Sequence, residues 1–195
     1  MADAHTARTD EQPTPQFAWS NMFVTPEADP RSAGGFSDER SMLVGYLRDY
    51  RLTLELKCAD LTAEQLARRS VPPSKMSLLG LVRHLAEVER FWFRRVLAGQ
   101  DVPKRYSPEG ERDGAFDDAV GEPAVVEEAW RAWRAEVAFA DELVAATADL
   151  GFRAAMSDGT EISLRELLLH MVEEYARHCG HADLLRERID GRVGQ

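Results

Sequence analysis

The sequence predicts an all-α protein: a four-helix bundle over residues 37–195, preceded by an extended N-terminal arm over residues 1–36. Three observations predict it. Four stretches carry apolar residues near a 3.6-residue period, the pattern of a helix that buries one face. Helix starts carry capping boxes, and helix ends fall at Gly or Pro. The connections between the stretches vary in length, as a four-helix bundle allows.

The arm is rich in Pro, Thr, Asp, Ala and Gly without a sustained period, so it reads as a flexible or surface-wrapping segment. Its cluster Phe17, Trp19, Met22, Phe23 and Val24 is too apolar for a solvated tail. Docking on the body or on a neighbouring subunit is expected. The first long helix spans about 37–61, with Leu43, Leu47, Tyr50 and Leu54 on one period. Thr62 and Gln65 form a capping box that opens a short helix ended by Pro72-Pro73. The second long helix runs from about Ser77 to Ala98, with Gly99 as its stop.

Residues 100–121 are polar and read as a long loop. Pro123 opens the third long helix, which runs to about Ala146, because a first helical turn tolerates a missing N–H. Ser157, Asp158, Gly159 and Thr160 form a turn signature between short extended pieces. Ser163 and Glu166 make a second capping box, and the fourth long helix runs from there to Ile189 before Gly191.

Composition narrows the function. A net charge of -10 and a pI near 5.0 argue against nucleic acid as a partner, since phosphate binding needs clustered basic residues. No apolar run approaches the roughly 20 residues of a membrane span. The N-terminus lacks the basic start and apolar stretch of a secretory signal, so a cytoplasmic location is expected. Cys58 and Cys179 form no CxxC pair, and a reduced protein is the default, with a disulfide between them the minor alternative.

Three residues carry the chemistry: His84, Glu174 and His178. On an ideal wheel of the fourth helix with His170 at zero, Glu174 falls at about 40° and His178 at about 80°. His178 thus lies between Leu185 and Met171 on the apolar arc, and Glu174 borders it. On the second helix His84 shares a side with Leu81, Leu85 and Val88, away from Arg83, Arg90 and Arg94. Two imidazoles and a carboxylate are the ligand set of a catalytic zinc site with an open fourth position. Inward ionisable groups need such a partner, because an unpaired buried charge is costly.

Other readings stay open on the residues alone. A lone inward histidine is more often a hydrogen-bonded core residue, and an i,i+4 Glu–His pair can be a plain helix contact. His170 and His181 compete for the site, His181 in its neighbourhood and His170 at its rim. Cys179 lies about 100° from His178 on the wheel and reads as a small buried hydrophobe. Glu89 also leans inward, where an arginine partner or an acceptor role would account for it.

The stretches around His84 (LVRHLAEVERFWFRRVLAG) and His178 (HMVEEYARHCGHADLLRERIDG) resemble the DinB/YfiT-like four-helix superfamily, especially its actinobacterial branch, over residues 37–191. In that family a histidine on the second helix joins an H-x-x-x-H pair on the last. His84 and His178 match two positions, Glu174 replaces the third histidine, and His181 stands where glutamine is usual. Two His and one Glu is similar to the mycothiol-dependent maleylpyruvate isomerase relatives. The resemblance implies a divalent metal, Zn2+ first with Ni2+ or Mn2+ as alternatives, and a low-molecular-weight thiol such as mycothiol as small-molecule substrate. It also implies a homodimer. The expected function is thiol-dependent S-transfer or isomerisation, with His181, Arg83 and Arg177 orienting ligand or substrate. Metal-assisted hydrolysis is the alternative chemistry, and a non-catalytic metal- or metabolite-binding stress protein the alternative class.

Overall fold

Three of the four long helices begin at a side-chain cap their own sequence supplies, and the fourth at a proline. In the computed structural model, which describes residues 23–31, 34–106 and 113–193, the Asp38 carboxylate accepts the Ser41 N–H at 2.9 Å and starts α1 (Glu39–Cys58). The helix stops short of Leu61 because Ala59 turns extended and Asp60 adopts a left-handed φ of 61°. Thr62 and Gln65 close their box at 3.3 and 2.9 Å and open α2 (Ala63–Ala67). The Ser77 hydroxyl accepts the Gly80 N–H at 3.0 Å and starts α3 (Leu78–Glu89). Caps of this kind contribute about 1 kcal/mol each.

The helix of α3 continues to Leu97 as expected, but in a wider π-helical register over Arg90–Leu97. Residues 100–121 depart from the expected loop: Gly114–Asp117 form a one-turn helix, α4. Its only large apolar side chain, Phe116, packs where Gly80 of α3 has no side chain, and a Cβ there would run into the ring. Proline starts α5 (Pro123–Ala146). Strands β1 (Arg153–Ala155) and β2 (Glu161–Ser163) pair antiparallel, with Ala154 opposite Ile162, across the Gly159 turn at φ 84°. The Ser163 box then opens α6 (Leu164–Asp190), which ends at Gly191 with φ 80°.

Side-chain pairs fix the directions. Glu39 meets Arg165 at 2.7 Å and Lys57 meets Asp183, so α1 and α6 run parallel. His84 lies beside Glu174 and Trp92 beside His170, so α3 runs antiparallel to α6. Glu55 meets Arg134 at 3.5 Å while Arg40 reaches the Thr147 carbonyl at 2.9 Å, so α5 runs antiparallel to α1. The path is therefore up, down, down, up, and residues 98–122 are the crossover that makes two successive helices point the same way.

Leu54, Leu81, Leu85, Leu167 and Met171 are wholly buried among these helices. Full burial of such a side chain contributes about 1.5–3 kcal/mol. One polar chain crosses this core with a residue from each long helix. Arg51 (α1) donates to both oxygens of Glu89 (α3) at 2.7 Å. Tyr175 (α6) donates its hydroxyl to Glu89 at 2.7 Å and accepts the Trp133 (α5) indole N–H at 2.8 Å. The inward lean of Glu89 thus has its arginine.

Of the arm's apolar cluster, Phe17, Trp19 and Met22 lie outside the described residues. Phe23 lies over Lys57 and Arg186, with ring-centre distances of 5.2 and 5.3 Å. Arg31 forks onto Asp29 and donates to Thr53 at 3.2 Å, which lays residues 23–31 along α1. Among the described residues no helix is long and apolar enough to cross a membrane.

Candidate metal centre

The seam between α3 and α6 brings three sequence-predicted residues together. His84 projects from α3 one turn beyond Gly80, and Phe116 of the crossover stacks on its ring at 5.7 Å and 28°. Glu174 and His178 project from successive turns of α6. His84 Nε2 lies 3.2 Å from Glu174 Oε1, and His178 Nε2 lies 3.3 Å from the same oxygen. The imidazole rings stand 4.6 Å apart at 62°, edge to face rather than stacked. All three donor atoms lie within 4.8 Å of one another.

These separations fit one cation. Ligands at about 2.0–2.1 Å in a tetrahedron are about 3.3 Å apart, which is the spacing seen on both sides of Glu174. The side chains are 29, 20 and 10 % exposed for His84, Glu174 and His178, so the group is half-buried and opens at a rim. Hydrogen bonds from His178 and then His84 hold the Glu174 carboxyl well below the usual carboxylate range, against the opposing effect of burial. The carboxyl is therefore ionised at neutral pH.

The competing residues sit elsewhere. His170 packs on Trp92, ring centres 4.7 Å apart, and is not one of the group. Cys179 donates its thiol to the Tyr50 carbonyl at 3.6 Å, and both cysteines are free and buried. Burial pushes both thiols up to about 12. His181 does reach the neighbourhood: its Nδ1 lies 3.3 Å from Nδ1 of His178. Burial, then the charges of His178 and Arg177, lower its pKa. Arg83 donates to the Asp118 and Gly114 carbonyls at 3.1 and 3.3 Å and lies 4.3 Å over the Tyr106 ring, holding the crossover to α3.

Sequence reasoning missed Phe116 as a wall of the site. Its signal was present, since it is the only aromatic residue between Tyr106 and Trp130. A cleft of about 300 Å³ between α1 and α5, lined by Leu47, Arg51, Asp141 and Val144 among others, includes none of the three.

Residues 42–191 match the family model described as MST, mycothiol-S-transferase. No curated protein matches the chain, and no solved structure does.

Proposed function

The chain belongs to the mycothiol-S-transferase family, and on that premise we propose that it is a metal-dependent transferase that couples a small thiol of the mycothiol type to an electrophile. The observation that carries the reading is the convergence of two imidazole nitrogens on one carboxylate oxygen at 3.2 and 3.3 Å. His84, Glu174 and His178 would hold a divalent cation, Zn2+ before Ni2+ or Mn2+, with a net site charge of about +1. Bound there, the cation supplies a Lewis acid that lowers the pKa of a thiol sharing its coordination sphere, so the nucleophile exists at neutral pH.

The chain's own residues do the rest. Glu174 supplies the negative charge that lowers the charge of the site, while Phe116 covers one side of His84. Neither cysteine competes as nucleophile, because burial keeps both thiols protonated at neutral pH. The reacting sulfur therefore comes from a substrate: its S–H loses the proton to solvent. The sulfur forms a bond to the electrophilic carbon as that carbon's bond to its leaving group breaks, and the leaving group departs with the electron pair. A purely structural metal would want a fourth protein ligand. Cys179 bonds to Tyr50 and His170 packs on Trp92, which favours the open, catalytic arrangement.

The test is metal content by mass spectrometry, then turnover of mycothiol with an alkylating electrophile. One zinc per chain that is lost in His84→Ala and in His178→Ala, together with thiol consumption lost in the same variants, is the expected result. Metal retained in either variant counts against the ligand set. Substrate cleavage that proceeds without any thiol overturns the transferase chemistry in favour of hydrolysis.

A further inference from the structure

His178 is the most buried of the three ligand candidates, and both of its ring nitrogens face a partner. Nε2 lies 3.3 Å from Glu174, within the group that would hold the cation. Nδ1 lies 3.3 Å from Nδ1 of His181, one turn further along α6. The ring centres are 5.2 Å apart and the planes are inclined at 65°.

Two imidazole nitrogens can share a hydrogen bond only when one carries the proton and the other offers its lone pair. A neutral imidazole holds a cation through a bare nitrogen, which puts the ring's single proton on the other one. For His178 to bind through Nε2, its proton must sit on Nδ1, against His181. That fixes the second ring as well. His181 must accept through Nδ1 and carry its own proton on Nε2. We propose that His181 is a positioning residue: once a cation takes the Nε2 lone pair of His178 in place of the hydrogen bond to Glu174, His181 accepts the proton on Nδ1 and holds the ring with Nε2 toward Glu174 and His84.

This inference rests on the reading of His84, Glu174 and His178 as a cation site, and deepens it by one shell. In most such sites the outer acceptor is a carboxylate or a backbone carbonyl. Here it is a second imidazole from the same helix, spaced so that α6 alone supplies ligand and acceptor. A glutamine at 181 could do the same work through its carboxamide oxygen, whereas an apolar residue of similar size could not.

The experiment is a zinc titration of the full chain, stripped of metal and competed against a chromophoric chelator. His181→Leu is expected to weaken zinc binding about 10–100-fold, the usual cost of losing an outer-shell acceptor. His181→Gln is expected to stay within about threefold of the parent, because the hydrogen bond is replaced in kind. Nitrogen-15 spectra of the histidine-labelled, zinc-loaded parent should show His178 protonated on Nδ1 and His181 on Nε2. Equal zinc affinity in the leucine variant overturns the proposal. So does a glutamine variant as weak as the leucine one, which would make His181 a ligand itself. The opposite tautomers in the parent overturn it even if the leucine variant fails to fold. A parent chain that binds no zinc fails differently, since it removes the site as well as its outer partner.

Discussion

Glu89 and Glu174 are both glutamates on core-facing rows of long helices, and their surroundings could hardly differ more. Glu89 is wholly buried and takes three hydrogen bonds, two from the Arg51 guanidinium and one from the Tyr175 hydroxyl. Arg51 is itself doubly engaged, since it also meets Asp141 at 2.7 Å. Glu174 sits at a rim and faces two imidazoles, whose nitrogens can equally serve a cation. The difference teaches what separates structural from chemical polarity. A carboxylate saturated by a permanent charge ties helices together, whereas one shared by two ambivalent rings leaves coordination to offer.

The largest effect should come from breaking the first arrangement. Arg51→Ala leaves the buried Glu89 charge without its ion pair and should cost about 3–5 kcal/mol of stability, read from urea unfolding. Glu89→Ala leaves Arg51 its Asp141 partner and should cost less. Replacing both partners together by Leu and Met should recover most of that loss. If the single variants were as stable as the parent, the network would not be what joins the four helices. Tyr175→Phe is the next step down. It removes a donor to a charged acceptor and strands the Trp133 N–H, for about 2 kcal/mol in the same assay.

Glu174→Gln should act in the reverse sense, losing stoichiometric zinc while changing the stability of the metal-free chain by less than about 1 kcal/mol at neutral pH. It also carries a pH signature. The folded carboxyl is held below its ordinary value of 4.5, so the unfolded chain binds protons first as the pH falls. Stability contributed by Glu174 is therefore complete above that value and is lost below it. Denaturation midpoints taken into acid should fall less steeply in the glutamine variant than in the metal-free parent. Zinc retained by Glu174→Gln would erase the contrast between the two glutamates.

The smallest effect concerns the cysteines. With both thiols buried and raised to about 12, neither should react with a disulfide reagent in the native state at mildly alkaline pH. Both should react once the chain is unfolded. Rapid native modification of Cys58 or Cys179 would return an internal nucleophile to consideration and weaken the case for an external thiol.

The long helices were legible because their information is local. Asp38, Thr62, Ser77 and Ser163 each satisfy backbone donors within their own first turn, and the apolar period marks the face that is buried. The pairing of Glu174 with His178 was legible for the same reason, since one turn of α6 separates them. His84 could be placed on an inward face, but its approach to α6 depends on which helices are neighbours. The α4 turn escaped notice because charged residues surround Phe116, and only the bare surface at Gly80 gives that ring a place. The partner of Glu89 was equally hidden: Arg51 lies 38 positions away in the chain, on a different helix.

By itself the sequence determined the all-α class, the capped long helices and three inward groups with ligand chemistry. Tertiary structure decided which helices run parallel, that Arg51 closes over Glu89, and that His181 rather than His170 or Cys179 stands behind His178. The physical reason is range. Caps and periodicity are set by contacts within a few residues, whereas partners across a seam are chosen by the packing of whole helices.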